Sequence, residues 1–367
     1  NAINSSGDDT SITITIDATD NIGIYYYYYK LDNEEEIRVE KNSYTFEGLE
    51  KDSVHTITVR VEDAVGNRAS DSKEVTVGYK VSDVILIASP TQGHATDWTG
   101  RTSYYYTGKP NNWVKFAGFY WRIIRINGDG TIRMIYQGTS ANETGTGTQI
   151  GTSAFNSSNN HNKYVGYMYG SNSSDYNSTH ANTNPSTIKG RLDTWYSKNL
   201  QSYANYIDGN AGFCGDRRVS SGTGGGTSST NYQPYTRISS SSPSLSCNTN
   251  DIYTTTDSST GNKALTYPIG LISADEAMFA GIPNWNSSNS NNYLYTGQYY
   301  WTMSPRYLSG DKAHVFIVSR EGRLGSGGGF GFIDSLLGVR PVINIKADTQ
   351  ITGSGTSTDP FKVVGAS

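Results

Sequence analysis

Charge is scarce in this sequence: Asp, Glu, Lys and Arg together make 17% of the 367 residues, below the quarter usual in soluble domains. What charge there is nearly cancels, with 29 basic against 33 acidic side chains. A nucleic-acid binder needs a basic face, so nucleic acid is excluded as a partner. Cysteine is rarer still, at two, and histidine stands at five. His55, His94, His161, His180 and His314 are scattered, and two cysteines without histidine at ligand spacing make no zinc site. No metal centre and no cofactor is expected. Long apolar runs are missing: nothing approaches the ~20 residues of a membrane-spanning helix, and no leader precedes Asn1. The expectation is a mature, extracellular ectodomain or a fragment of one, anchored, if at all, through segments outside this chain. Hydrophobic residues are only 35%, but 28 Tyr, 10 Phe and 6 Trp exclude a disordered chain.

The first 80 residues read as all-β. Ile12, Ile14 and Ile16 alternate with Thr13 and Thr15, the period of a half-buried strand. Asp20-Asn21 with Gly23 supplies turn chemistry, and the tyrosine-rich run from Ile24 to Lys30 predicts a second strand. His55 to Glu62 alternates again, a turn follows at Asp63–Asn67, and Lys73 to Val77 closes the set. About seven short strands with regular turns predict a sandwich. The runs ITIDATDNIGI, YTFEGLEKDSVHTITVRVEDAVGN and KEVTV resemble a bacterial immunoglobulin-like or fibronectin-type-III-like surface module. The resemblance implies a spacer over residues 1–80, and no titratable cluster in it suggests chemistry.

Residues 79–83 are expected to be a linker, and a second domain to fill 83–367. Trp113 to Ile126 reads as one aromatic-rich strand, turned by Asn127-Gly128-Asp129-Gly130 into Thr131 to Tyr136. A helix is predicted from a Ser186 cap through Ile188, Leu192, Trp195, Tyr196 and Leu200. A second starts at the capping box of Ser273 and Glu276 and ends at Gly281. The polar stretches 138–183 and 208–263 read as long insertions, the latter a Ser/Gly-rich loop open to proteolysis. Tyr299–Met303, His314–Val318 and Val339–Ile345 are predicted strands. The order gives an α+β domain with two helices against an irregular sheet. Cys214 and Cys247 are expected to form one disulfide, worth about 3–4 kcal/mol in the chain-entropy picture, because the composition favours an oxidising compartment. Two unrelated free thiols are the alternative.

The runs WVKFAGFYWRIIRINGDGTIRMIY, YPIGLISADEAMFAG, YLYTGQYYWTMSP, GVRPVINIKAD and ITGSGTSTDPFKVV resemble surface proteins of gut-type Gram-positive bacteria. They are also similar to the C-type-lectin-fold target proteins of diversity-generating retroelements. In that group a C-terminal variable region, here about 300–345, is rewritten at adenines and displays ligand-binding side chains. The resemblance implies a framework of Tyr300-Trp301-Thr302-Met303-Ser304-Pro305, Ala313, Val315, Phe316, Val318 and Gly338-Val339-Arg340-Pro341-Val342. It implies ligand contacts at Arg306, Tyr307, Leu308, Ser309, Asp311, His314, Ser319, Arg320, Arg323, Ser326, Phe330, Phe332, Asp334, Ser335 and Leu336. Adenine mutagenesis of asparagine codons ending in a pyrimidine cannot yield Lys, Glu, Gln, Met or Trp, which removes Trp301, Met303, Lys312 and Glu321 from the variable set.

Other constellations favour bland readings. Gly325–Gly331 lacks the Lys-Ser/Thr and the helix of a phosphate loop. Asn127–Gly130 offers one carboxylate where calcium needs several, so it is a turn. The Glu-Pro-Asn, Gln-Pro-Asp and Trp-Asn-Asp motifs of calcium-dependent lectins are absent. Asp275 and Glu276 mark a helix start rather than a catalytic pair. No Ser/His/Asp or Cys/His arrangement is visible from spacing. Arg340, inside an apolar strand, is expected to be buried and paired. His314 is either a ligand contact or an exposed bystander. The chain is therefore expected to be a non-enzymatic, adhesin- or receptor-like protein that binds a protein or glycan on a cell, phage or host surface. The alternatives are a pilus or cell-wall component without a ligand, or an enzyme related to formylglycine-generating oxidases or acting on glycans.

Overall fold

The computed structural model describes residues 2–7, 10–81, 93–325 and 332–367. The chain is β-rich and built from several sheets. At its N-terminal end Ala2–Gly7, Ser11–Asp17 and Ser43–Glu47 form one antiparallel sheet, and Ile37–Val39, Ile24–Leu31, Val54–Asp63 and Arg68–Thr76 form a second. The alternation seen in the sequence sets the inner faces: Ile12, Ile14 and Ile16 pack against Tyr29, Leu31, Ile57, Val59 and Val61. Past a register shift between Ile24 and Tyr26 that leaves Tyr25 exposed, the tyrosine run follows the same period of two. Tyr29 is fully buried, while Tyr26 and Tyr28 lie outside under the guanidinium groups of Arg38 and Arg60, at 4.5 and 3.5 Å.

The expected linker starts instead as a strand. Tyr79–Lys80 pairs antiparallel with Gln350–Thr352 and so joins the large sheet of the second unit. Val81 belongs to that unit's core, so a boundary at 83 would strip off a paired strand and a buried side chain. Residues 82 and 83 lie outside the described residues. Two surface ion pairs bridge the same junction, Lys51 to Asp359 at 3.0 Å and Lys362 to Asp52 at 3.2 Å. Each is half exposed and contributes at most about 1 kcal/mol.

The large sheet runs Val342–Ile345, Ile132–Gly138, Phe119–Ile126, Trp113–Phe116, Phe361–Val363, Gln350–Thr352, Tyr79–Lys80. The single strand expected over Trp113 to Ile126 is a hairpin. Ala117 and Gly118 both take positive φ, 53° and 79°, as a two-residue type I′ turn requires, and Phe116 faces Phe119 across it. The Trp121 indole N–H closes the corner by donating to the Phe116 carbonyl at 3.1 Å. The predicted Asn127–Gly130 turn is present, with Asn127 N–H donating to Thr131 O at 2.9 Å.

Both expected helices form. Thr187–Asn199 is capped by the Ser186 hydroxyl, and Ala274–Phe279 by the full Ser273–Glu276 capping box. Glu276 and Asp275 carry structural loads as well. Glu276 meets Arg133 at 2.6 Å and Asp275 meets Arg237 at 2.7 Å, all buried or nearly so. Both insertions are packed, the second of them against the expectation of an open loop. Stretch 138–183 buries Phe155, Val165, Tyr167 and Met168. Stretch 208–263 holds a helix, Gln233–Ser239, and buries Phe213, Tyr232, Ile238 and Tyr253. Cys214 and Cys247 are joined, their Cα atoms 6.0 Å apart, closing this segment on itself. Backbone held this way is a poor proteolytic site. Composition misled because serine and glycine dominate the count, whereas a few aromatic anchors do the packing.

Candidate functional site

The second sheet is centred on Tyr300–Ser309, flanked by Lys312–Val318 on one side and Thr230–Tyr232 on the other. The strand predicted to stop at Met303 continues through Pro305. Proline has no N–H for a ladder and survives mid-sheet only at an irregularity. The pairing with Lys312–Val318 shifts register on both sides of Pro305. The chain then turns at Gly310, φ 61°, so residues 306–313, which lie between two of the predicted strands, form the tip of a β-hairpin.

This register gathers a row of rings. Tyr307 sits opposite His314 in the ladder, their centroids 4.5 Å apart. His314 is bridged to Phe332, 4.7 Å ring to ring. On the other side Tyr307 meets Tyr235 edge to face at 5.7 Å, and Tyr235 stacks on Trp285 at 5.9 Å with planes 12° apart. The Arg306 guanidinium lies among them, 4.9 Å from the rings of both Trp285 and Tyr307 and 5.7 Å from Tyr235. Each such cation–π contact contributes about 0.5–2 kcal/mol, more as water is excluded. Tyr235, Trp285, Arg306, Tyr307 and Phe332 are all half-buried, so the row presents ring edges and faces to solvent from a fixed base.

The residues implied as ligand contacts do not all reach this row. Arg306, Tyr307, His314 and Phe332 belong to it. Ser309, Asp311, Asp334 and Leu336 are exposed around it, and Ser335 is half-buried. Leu308 and Ser319 are buried, at 1% and 2% exposure, so as surface contacts they are corrected: the strand's alternation turns Leu308 into the core. Arg320 lies beyond the opposite end of the hairpin, where Val318 faces Tyr300, roughly 25–30 Å of strand from its tip. Arg320 stays exposed and pairs with Glu321 at 2.9 Å, while Arg323 is half-buried and donates to the Trp285 carbonyl at 3.2 Å. Ser326 and Phe330 lie outside the described residues. Arg340 is fully buried as expected, but its partners are the carbonyls of Tyr136 and Leu294 and the Gln137 amide oxygen rather than a carboxylate.

Tyr235 and Trp285 were not foreseen. Tyr235 rides on the Gln233–Ser239 helix inside the stretch read as a loop. The signal was present: Pro234 at the first turn is helix-start chemistry, and Ile238 recurs four residues on. Trp285 follows the capped helix and had no periodic context. A cleft of about 270 Å³ lies elsewhere, between Asp97, Trp98, Arg125 and Asn210. The Asp97 carboxylate there is already engaged by Thr99 and Ser103.

His314 is 7% exposed, and burial, reinforced by Arg306, pushes its pKa down to about 4 while Asp334 opposes the shift. His180, beside Arg217, is pushed down to about 3, first by burial, and its Nε2–H donates to the Gly224 carbonyl at 2.9 Å. A histidine kept neutral in the fold but free to charge when unfolded destabilises the fold as pH falls through its unfolded pKa near 6.5. The melting temperature should therefore drop between pH 6.5 and 5, with each histidine contributing about 1.4 kcal/mol per pH unit. Replacing both by glutamine should flatten the slope; equal melting temperatures for the native chain at pH 7 and pH 5 would contradict the assignment.

Among the described residues no group of three or more His, Cys, Asp or Glu side chains is placed to hold a metal ion, and no helix is long and apolar enough to cross a membrane. No family model matches the chain, and no curated protein does. Among solved structures, chitinase ChiA74 from Bacillus thuringiensis is similar over 40% of this chain and 17% of its own length, at 18% identity and a TM-score of 0.20. The chain thus spans under a fifth of that protein, and so slight a likeness bears on neither fold nor activity.

Proposed function

We propose that this is an extracellular or surface-attached ligand-binding protein, with an immunoglobulin-like spacer leading to a C-type-lectin-like domain that displays its binding patch on the hairpin at 300–318. The order of hairpin, capped helices and antiparallel strands supports the domain reading, and the disulfide is consistent with an oxidising compartment. The observation that carries the function is the ring row around Arg306. Tyrosine, tryptophan and arginine are the residue types that concentrate binding energy. Tyrosine and tryptophan also have few rotamers to freeze on contact. Arg306, Tyr307, His314 and Phe332 of the row come from the implied variable stretch and Tyr235 and Trp285 from outside it, so a rewritten patch would keep part of its aromatic floor constant. The partner is a protein or glycan on another surface.

The test is a comparison on an array of glycans and surface proteins. Tyr307→Ser combined with Trp285→Ser should weaken every interaction that the unaltered chain makes by at least about tenfold, or ~1.4 kcal/mol. Arg320→Ser, at the far end of the strand, should leave them within twofold. Both variants should keep cooperative melting. Unchanged binding by the double variant would remove the ring row as the site.

A further inference from the structure

The N-terminal unit carries a cluster that its sequence did not announce. Ser53 and His55, two apart at the start of a strand, project from the same face, with Ser53 Oγ 2.7 Å from His55 Nε2. The other ring nitrogen, Nδ1, is 2.8 Å from Asp32 Oδ2. Asp32 is fixed in turn: its Oδ1 accepts the Thr56 N–H at 2.8 Å, its own N–H donates to the Thr56 carbonyl at 2.8 Å, and its backbone takes a left-handed φ of 46°. Histidine and aspartate are 16% and 42% exposed at the side chain, so the chain of three is open to reagents.

The geometry points to Ser53 as an activated hydroxyl that accepts acyl groups from activated esters, with His55 as its base and Asp32 as the group that positions His55. An ionised Asp32 holds the proton on Nδ1, which leaves Nε2 bare to accept from the serine, the role division of a hydrolase triad. The Glu50 carbonyl also lies against Ser53 Oγ, and the single hydroxyl proton serves one acceptor at a time. Reaction proceeds from the arrangement in which it faces Nε2. Oγ then bonds the acyl carbon, its proton passes to Nε2, the ester C–O bond breaks, and the imidazolium returns that proton to the departing alkoxide. The product is an O-acyl serine, hydrolysed by water through the same base. This inference is independent of the ring row.

The test uses the full chain and diisopropyl fluorophosphate, which forms the Oγ–P bond with loss of fluoride, followed by peptide mass mapping. Ser53 should be modified at least tenfold faster than the exposed Ser72 and Ser220. His55→Gln should abolish the advantage, and Asp32→Asn should reduce it without changing the melting temperature, because an asparagine amide favours the wrong tautomer. Labelling of Ser53 no faster than Ser72 and Ser220, or equal labelling in His55→Gln, would show the three residues to be a hydrogen-bonded surface turn and overturn the assignment.

Discussion

Trp301→Ala is expected to destabilise the chain by about 3–5 kcal/mol, read as a shift in the urea midpoint at unchanged slope. The indole has no solvent exposure. It meets Phe155 edge to face at 5.7 Å, and its N–H donates to the Ser153 carbonyl at 2.8 Å. Truncation leaves a cavity at the centre of the second sheet and strands that carbonyl, so the transfer, cavity and hydrogen-bond costs add. Trp301→Phe should recover roughly half, since the ring returns without its N–H. A loss under about 1 kcal/mol for the alanine variant would mean that the sheet is not packed on Trp301. Because the Trp301 side chain is buried in the core and is not part of the ring row, surviving folded protein should still bind what the native chain binds.

Asp251→Ala should cost a similar ~3–5 kcal/mol, because it leaves a buried cation without its counter-charge. Arg217 is fully buried and Asp251 nearly so. The carboxylate receives both the Arg217 backbone N–H, at 2.9 Å, and its Nε–H, at 2.7 Å. The remaining guanidinium N–H groups donate to the Met168 carbonyl and the Asn182 amide oxygen. The pair thus closes stretch 208–263 on itself, and the other hydrogen bonds of Arg217 tie it to stretch 138–183. Replacing both partners, Arg217→Met with Asp251→Leu, should restore much of the loss, since an apolar pair of similar volume avoids the unpaired charge. A double variant as unstable as Asp251→Ala would show that the hydrogen bonds to Met168 and Asn182, rather than the charge pair, hold the segment.

Residues 208–263 show where local reading fails. Their composition is that of a linker, yet Tyr232, Ile238 and Tyr253 are buried and Arg217 is locked to Asp251. Apart from the Pro234–Ile238 spacing, the anchors are isolated in sequence, so no sustained period of two or 3.6 registers. The ion pair joins residues that only the folded chain brings together. The same holds for the triad-like cluster: Ser53 and His55 are adjacent in sequence, but Asp32 arrives through the pairing of Ile24–Leu31 with Val54–Asp63.

The sequence alone determined what short-range chemistry can encode. Alternation placed Ile12, Ile14 and Ile16 inward, side-chain caps set the starts of the helices at Ser186 and Ser273, and Asn127–Gly130 could only turn. These rest on the fixed periods of strand and helix and on hydrogen bonds within three or four residues. Tertiary structure decided the site. The bulge at Pro305 carries the strand on to Ser309. Pairing to Thr230–Tyr232 brings in Tyr235, and the alternation of the extended strand buries Leu308 while exposing Tyr307 beside it. Ring neighbours drawn from residues 235, 285, 307, 314 and 332 are set by sheet order and register, and those are fixed by burying the whole core at once rather than by any local run of side chains.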